Sequence, residues 1–190
     1  MKPFSAPRHF VLLAAICIAG CAFVPNLTVE ELRALDSPPD PVRDRVDRLL
    51  PRALAWYSAV ETELLLQGRP LTDQEKSVAQ SLGVGDPSKV RVIILDRFPM
   101  PTDPELLAEA ERHGMGSRFE GGRTIGYAIM LKPWIAQDST VLNHELVHVA
   151  QHDRMGRSGF VRRYLIELSL VGYARSPLEL EAYAKQKRAQ

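Results

Sequence analysis

The chain of 190 residues carries only two cysteines, and both, Cys17 and Cys21, lie at its N-terminal end. Everything after them must fold without disulfides, so its stability has to come from packing or from a metal. Basic residues never run longer than a pair, and the formal charge is +1. That balance lacks the electrostatic footprint of a nucleic-acid binder, and nucleic acid is set aside as a partner. No internal repeat is visible. The one long apolar run is too short for an ordinary spanning helix. What remains, 45% hydrophobic and 25% charged, is the composition of a globular protein with the length of one domain.

The apolar run, "FVLLAAICIAG", follows Lys2 and Arg8 and ends in small residues, the layout of an export signal. It closes on Ile18-Ala19-Gly20-Cys21, which resembles the bacterial lipobox. That resemblance implies that residues 1–20 are a lipoprotein signal peptide and that Cys21 is lipidated, becomes the mature N-terminus and anchors the protein to a membrane. A plain cleaved signal and an uncleaved anchor are the alternatives. Ala22, rather than an aspartate, follows the cysteine. In Gram-negative lipoproteins, which this segment resembles, that choice implies the outer membrane, with the protein facing the periplasm.

Residues 21–41 read as a tether, with a short helix possible from Val29 to Asp36 before the turn-forming "DSPPDP". The compact domain is expected over 42–190. Helical spacing from Val42 to Gln67 predicts one helix interrupted, or two abutted, at Pro51. Thr72 and Glu75 form a capping box for a helix to Leu82. "VRVIILD", Val90 to Asp96, has the β-branched content of a buried strand. Asp103 and Pro104 open a helix that Gly114 stops. "TIGYAIML", Thr124 to Leu131, is read as a second strand. Helical patterns follow from Asp138 or Ser139 to Gly156, from Ser158 to Val171, and from Pro177 to about Arg188. Too few strands alternate with helices for a wide parallel sheet, so the expected fold class is α+β, mostly helical with a small sheet.

The stretch "STVLNHELVHVAQH" carries three of the five histidines. On a helix, His144 and His148 are four apart and share a face, so both imidazoles can address one point. Neutral imidazole is a good zinc ligand, and Zn2+ is the expected cofactor. Glu145, one step round, need not bind the metal; it can act as general base toward a water that zinc makes acidic. His152 lies about 12 Å of helix rise from His144, too far to share the ion, and is expected at the surface or behind the ligands. An ordinary helix with hydrogen-bonded histidines is the competing explanation.

With "HELVH" in place, the sequence resembles the zincin metallopeptidases over roughly Thr124 to Tyr183. Where one branch has a third histidine this chain has Arg154, and the turn motif of that branch is absent. The gluzincin branch instead takes a glutamate from a later helix, in an E-x-x-A motif that "ELEAY", Glu179 to Tyr183, resembles. That resemblance implies Glu179 as third ligand. Glu181 competes, since two residues apart on a helix point about 200° from each other and only one can face the histidines. Ser176-Pro177 with Glu179 could instead be a helix cap. Tyr183 stands where relatives carry an aspartate that orients a ligand histidine, so some other acceptor is required. The resemblance also implies that "TIGYAIML" is an edge strand that pairs with extended peptide substrate; an ordinary hairpin strand is the alternative. Tyr173 and Arg175 are near enough to polarise a scissile carbonyl, though structural roles are expected for both. "FVRRYLIELSL" is expected to pack on the metal helix rather than on a membrane.

The function implied is a lipid-anchored zinc metallopeptidase acting on peptide or protein substrates, cell-wall peptides included. The alternative is a zincin-like envelope binding or assembly lipoprotein without catalysis.

Overall fold

A computed structural model describes residues 26–186. The signal peptide and the lipidation expected at Cys21 lie outside these residues. The elements in order are α1 (Val29–Asp36), α2 (Asp40–Leu65), β1 (Arg69–Pro70), α3 (Asp73–Leu82), β2 (Arg91–Ile94), α4 (Pro104–Arg112), β3 (Gly122–Ile125), β4 (Ala128–Leu131), α5 (Ser139–Val171) and α6 (Pro177–Gln186). The fold is α+β, mostly helical, with one mixed sheet of order β1-β2-β4-β3. β2 and β4 run parallel, while β1 and β3 flank them antiparallel. β3 is therefore an edge strand.

The sheet separates two apolar layers, because successive side chains on a strand point to opposite faces. Val92, Ile129 and Leu131 meet α3 and the first half of α5 through Ala79, Leu82, Leu142, Leu146 and Val149. Ile93, Ile125, Ala128 and Met130 meet α2 and its neighbours through Leu49, Ala53, Tyr57 and Leu106. Leu146, Val147 and Val149 are fully buried. Each contributes about 1.5–3 kcal/mol relative to exposure, so α5 is held by the side chains that alternate with its histidines.

Several local expectations hold for local reasons. Thr72 and Glu75 form both halves of the capping box at α3, and Asp138 accepts from the Thr140 amide at the start of α5. Asp103 caps α4 with Pro104 behind it. Gly156, at φ 68° and ψ 159°, takes a positive-φ, non-helical conformation open to glycine and breaks the helix where a stop was expected, yet the chain resumes helix at once, so α5 is two helical segments across a kink.

Other expectations are corrected. α2 runs unbroken through Pro51, with Leu49, Ala53, Tyr57 and Leu64 buried on one face; tertiary packing outweighs the hydrogen bond that proline removes. The single strand expected from Thr124 to Leu131 is a hairpin, β3 and β4, turning at Gly126 and Tyr127. Gly126 has φ 61°, and its amide donates to the Tyr57 hydroxyl while the Tyr127 amide donates to Glu61 at 3.0 Å. Both acceptors come from α2, 69 and 66 residues away, so the bend has no complete local signature. β1 was not expected at all. The short helix expected from Val29 to Asp36 forms as α1 with those bounds, and it packs on α5 with Leu35 beside Val46 and Ile166. Glu31 pairs with Arg175, and Asp36 with Arg163.

Candidate metal centre

His144 and His148 project from the first half of α5, and α6 crosses them. The Glu179 carboxylate straddles the pair, one oxygen 3.2 Å from His144 Nε2 and the other 3.4 Å from His148 Nε2. The two Nε2 atoms are 3.1 Å apart. Donors held about 2.0–2.1 Å from a tetrahedral zinc are separated by roughly 3.3 Å, so the spacing fits that ion. All three residues are buried, and among the described residues they are the one group of three or more such side chains placed to hold a metal.

The tautomers make the case stronger. His148 Nδ1 faces Gln151 Oε1 at 2.8 Å. The Gln151 amide nitrogen donates to the Leu178 carbonyl and to Glu181, so its oxygen must be the atom facing the ring. His148 therefore carries hydrogen on Nδ1 and, when neutral, presents a lone pair at Nε2. His144 Nδ1 faces Gln186 Oε1 at 2.9 Å, and with that amide oxygen as acceptor the His144 ring also carries its hydrogen on Nδ1. Two lone pairs and a carboxylate then converge with no donor among them, an arrangement that calls for a cation. In the bare chain a proton meets that demand. Burial alone would lower the pKa of His148, but Glu179 outweighs it and holds the imidazole up at about 9. Burial would raise Glu179, and His148 with His144 keeps it well below the carboxylate range instead. Tyr164 completes the surroundings by donating to Glu179 at 2.7 Å.

The helix cap proposed for Glu179 is half formed. Its amide points to Ser176 Oγ at 3.4 Å, while its carboxylate goes to the histidines. The remaining cap duty passes to Glu167, which accepts from Ser176 Oγ and from the Leu178 amide. Glu181 faces away and binds Arg154, Lys185 and Gln151. Arg154, in the place of a third histidine, is thereby occupied, and Arg175 is turned to Glu31 on α1. Tyr183 lies against the His144 ring, centroids 4.6 Å apart, and its hydroxyl is 3.4 Å from that of Tyr173.

Glu145 is buried beside β3. Its Oε2 accepts from Thr124 Oγ1 at 2.7 Å. A Cβ on Gly122 would come within 2.6 Å of Glu145 Oε1, so only glycine lets the edge strand approach this closely. Burial pushes the Glu145 carboxyl up, against the pull of His148, His144 and the Thr124 hydrogen bond. A raised carboxyl suits a group that must both take and return a proton near neutrality.

Gln151, Gln186, Tyr164 and Glu167 were missed by sequence reasoning. Gln151 alone had a local signal, since it stands three residues after His148 on the same helix face. Phe160 and Tyr164, from the stretch expected to pack on the metal helix, do so: both rings lie near His148.

His152 is not at the surface and joins none of the ligand hydrogen bonds. It is 8% exposed, enclosed by Tyr57, Tyr127 and Phe160, and neither ring nitrogen has a partner. Burial lowers its pKa; Glu61 and Asp153 oppose that and Arg157 reinforces it. The folded protein therefore refuses a proton that the unfolded chain accepts. Stability on this account is full above the ordinary histidine pKa near 6.5 and is lost as pH falls through it, by up to about 1.4 kcal/mol per pH unit until the depressed value is passed. His152→Leu is expected to flatten the fall in melting temperature between pH 7 and 5; parallel curves for the two proteins would contradict this.

No family model, curated protein or solved structure matches the chain.

Proposed function

We propose that the chain is a zinc metallopeptidase of the cell envelope, anchored through a lipidated Cys21. The observation that carries this is the convergence of His144 Nε2, His148 Nε2 and the Glu179 carboxylate, with Glu145 alongside and an unpaired strand edge next to it. Zinc in that set would supply Lewis acidity toward a carbonyl and toward water. His144, His148 and Glu179 would hold it, and Gln186 and Gln151 fix the two imidazole planes. Glu145 takes a proton from the attacking water and returns it to the leaving amine. β3 gives an extended peptide a backbone to pair with, one strand beyond the present sheet. The likeness of "HELVH" and "ELEAY" to gluzincins points the same way. Among the described residues no helix is long and apolar enough to cross a membrane.

A second function has its own support. Glu145 and all three ligands are less than a tenth exposed, which suits a structural metal inside an envelope binding or assembly module. Metal analysis and hydrolysis of an unbiased peptide mixture separate the two. The peptidase is expected to hold stoichiometric zinc, to melt higher when loaded, and to lose hydrolysis on chelation and regain it on zinc return. No metal and no thermal shift would sink both metal-based functions; tight metal without hydrolysis would leave the binding module.

A further inference from the structure

At the C-terminal ends of the parallel strands β2 and β4 lies an open surface cleft of about 500 Å3, lined in part by the exposed Asp96, Arg97, Arg118 and Trp134 and by Lys132. Three cations face one carboxylate there. Among the described residues Arg97 has no hydrogen-bonding or ionic partner, and Arg118 only lies over the Phe119 ring at 4.6 Å. Lys132 is held in place: its Nζ donates to the Asp96 carbonyl and sits 4.2 Å over the Phe98 ring. Trp134 is 58% exposed at the wall. Unpaired guanidinium groups beside an open aromatic face make a poor fold-stabilising arrangement and a good receptor for a carboxylate on a short apolar stem.

The cleft adjoins the proposed catalytic residue through the edge strand. The Lys132 amide donates to the Gly121 carbonyl at 2.8 Å, and a Cβ on Gly121 would lie 3.4 Å from the Trp134 ring. At the next residue, Gly122, a Cβ would meet Glu145 instead. Successive strand residues point to opposite faces, so Trp134 and Glu145 lie on opposite sides of the edge strand, one residue or about 3.3 Å apart along it, as two neighbouring side chains of a paired peptide would.

Resting on the peptidase function proposed above, we propose that this cleft is a substrate subsite for a carboxylate group one or two residues from the scissile bond. The enzyme is then selective for acidic peptides. Arg97 and Arg118 bind the carboxylate, and Trp134 covers the stem that carries it.

The test measures binding as well as cleavage. Zinc-loaded protein carrying Glu145→Gln is titrated with three peptides of one length. The first has blocked ends and a central glutamate, the second a glutamine in its place, and the third is the glutamine peptide with a free C-terminal carboxylate. Tighter binding of the glutamate peptide than the glutamine peptide, by about 10-fold at low salt, is expected, as for a hydrogen-bonded ion pair. Adding Arg97→Gln and Arg118→Gln should collapse the ratio to less than about 2-fold. An advantage for the third peptide alone, with the same arginine dependence, assigns the carboxylate to a chain terminus rather than a side chain. Equal affinity for all three peptides, or a preference that survives both substitutions, overturns the subsite. Hydrolysis of all three peptides at one rate by the Glu145-bearing protein would overturn it while leaving the peptidase function standing. An arginine-dependent preference in binding with no hydrolysis by that protein would keep the carboxylate site and remove the peptidase.

Discussion

Replacing Glu179 by alanine is expected to weaken zinc binding by more than about 100-fold, beyond the roughly 10–100-fold that losing a supporting residue costs a metal site. The carboxylate is the one anionic group among the three converging donors, and it supplies the charge that holds His148 at about 9 in the bare chain. Removing it leaves the protonated His148 and the Tyr164 hydroxyl without their acceptor. Because alanine also leaves a void, Glu179→Gln serves as the size-matched companion: it keeps the packing, loses the charge, and should show the same ranking with less loss of melting temperature. Glu181→Ala is the contrast. That side chain serves Arg154 and Lys185 at the surface and touches the centre only through the Gln151 amide, so its loss should change affinity by no more than a few-fold. Gln151→Ala should fall between the two, as a residue that orients a ligand without binding the ion. Competition titration against a chelator gives all the values. The reverse order of Glu179 and Glu181 would show that the α6 cap, rather than the metal, owns Glu179.

Glu145→Gln is expected to lower peptide hydrolysis by about 10²–10⁴-fold while zinc content stays at the wild-type level. The carboxylate is not among the three converging donors, so the metal should remain. The glutamine can still accept from Thr124, and its near-identical volume keeps β3 in register above Gly122. What disappears is a group whose burial-raised pKa lets it accept and return a proton. Loss of zinc together with activity would mean that Glu145 is a ligand or a structural support. Unchanged activity with zinc retained would remove it from the chemistry.

Both predictions depend on residues unequally visible in the sequence. His144, Glu145 and His148 share one helix, and four residues make nearly one helical turn, so spacing alone places both imidazoles on one face. The caps at Thr72, Asp103 and Asp138 were equally legible, since a cap is made within three residues. The α+β class followed from the order and number of apolar segments, each of which shows its own period.

The choice of Glu179 over Glu181 needed the crossing of α6 over α5, because rotation of one helix about its axis relative to another is not written in either. The same holds for Gln186, and for Glu167, whose acceptance from Ser176 and Leu178 frees Glu179 from the cap. Gly126 hinted at a bend, yet the run it interrupts reads as one continuous apolar strand; the hairpin exists because Tyr57 and Glu61 on α2 accept its turn amides. His152 shares the helix and the residue type of the ligands but faces an aromatic enclosure assembled from α2, the β3–β4 turn and the second half of α5. Sequence thus determined what one helix or one turn can decide by itself, the donors and their spacing. Tertiary structure decided which carboxylate meets them, which histidine is left out and which strand lies at the edge, because those depend on contacts between segments whose separation along the chain carries no periodic signal.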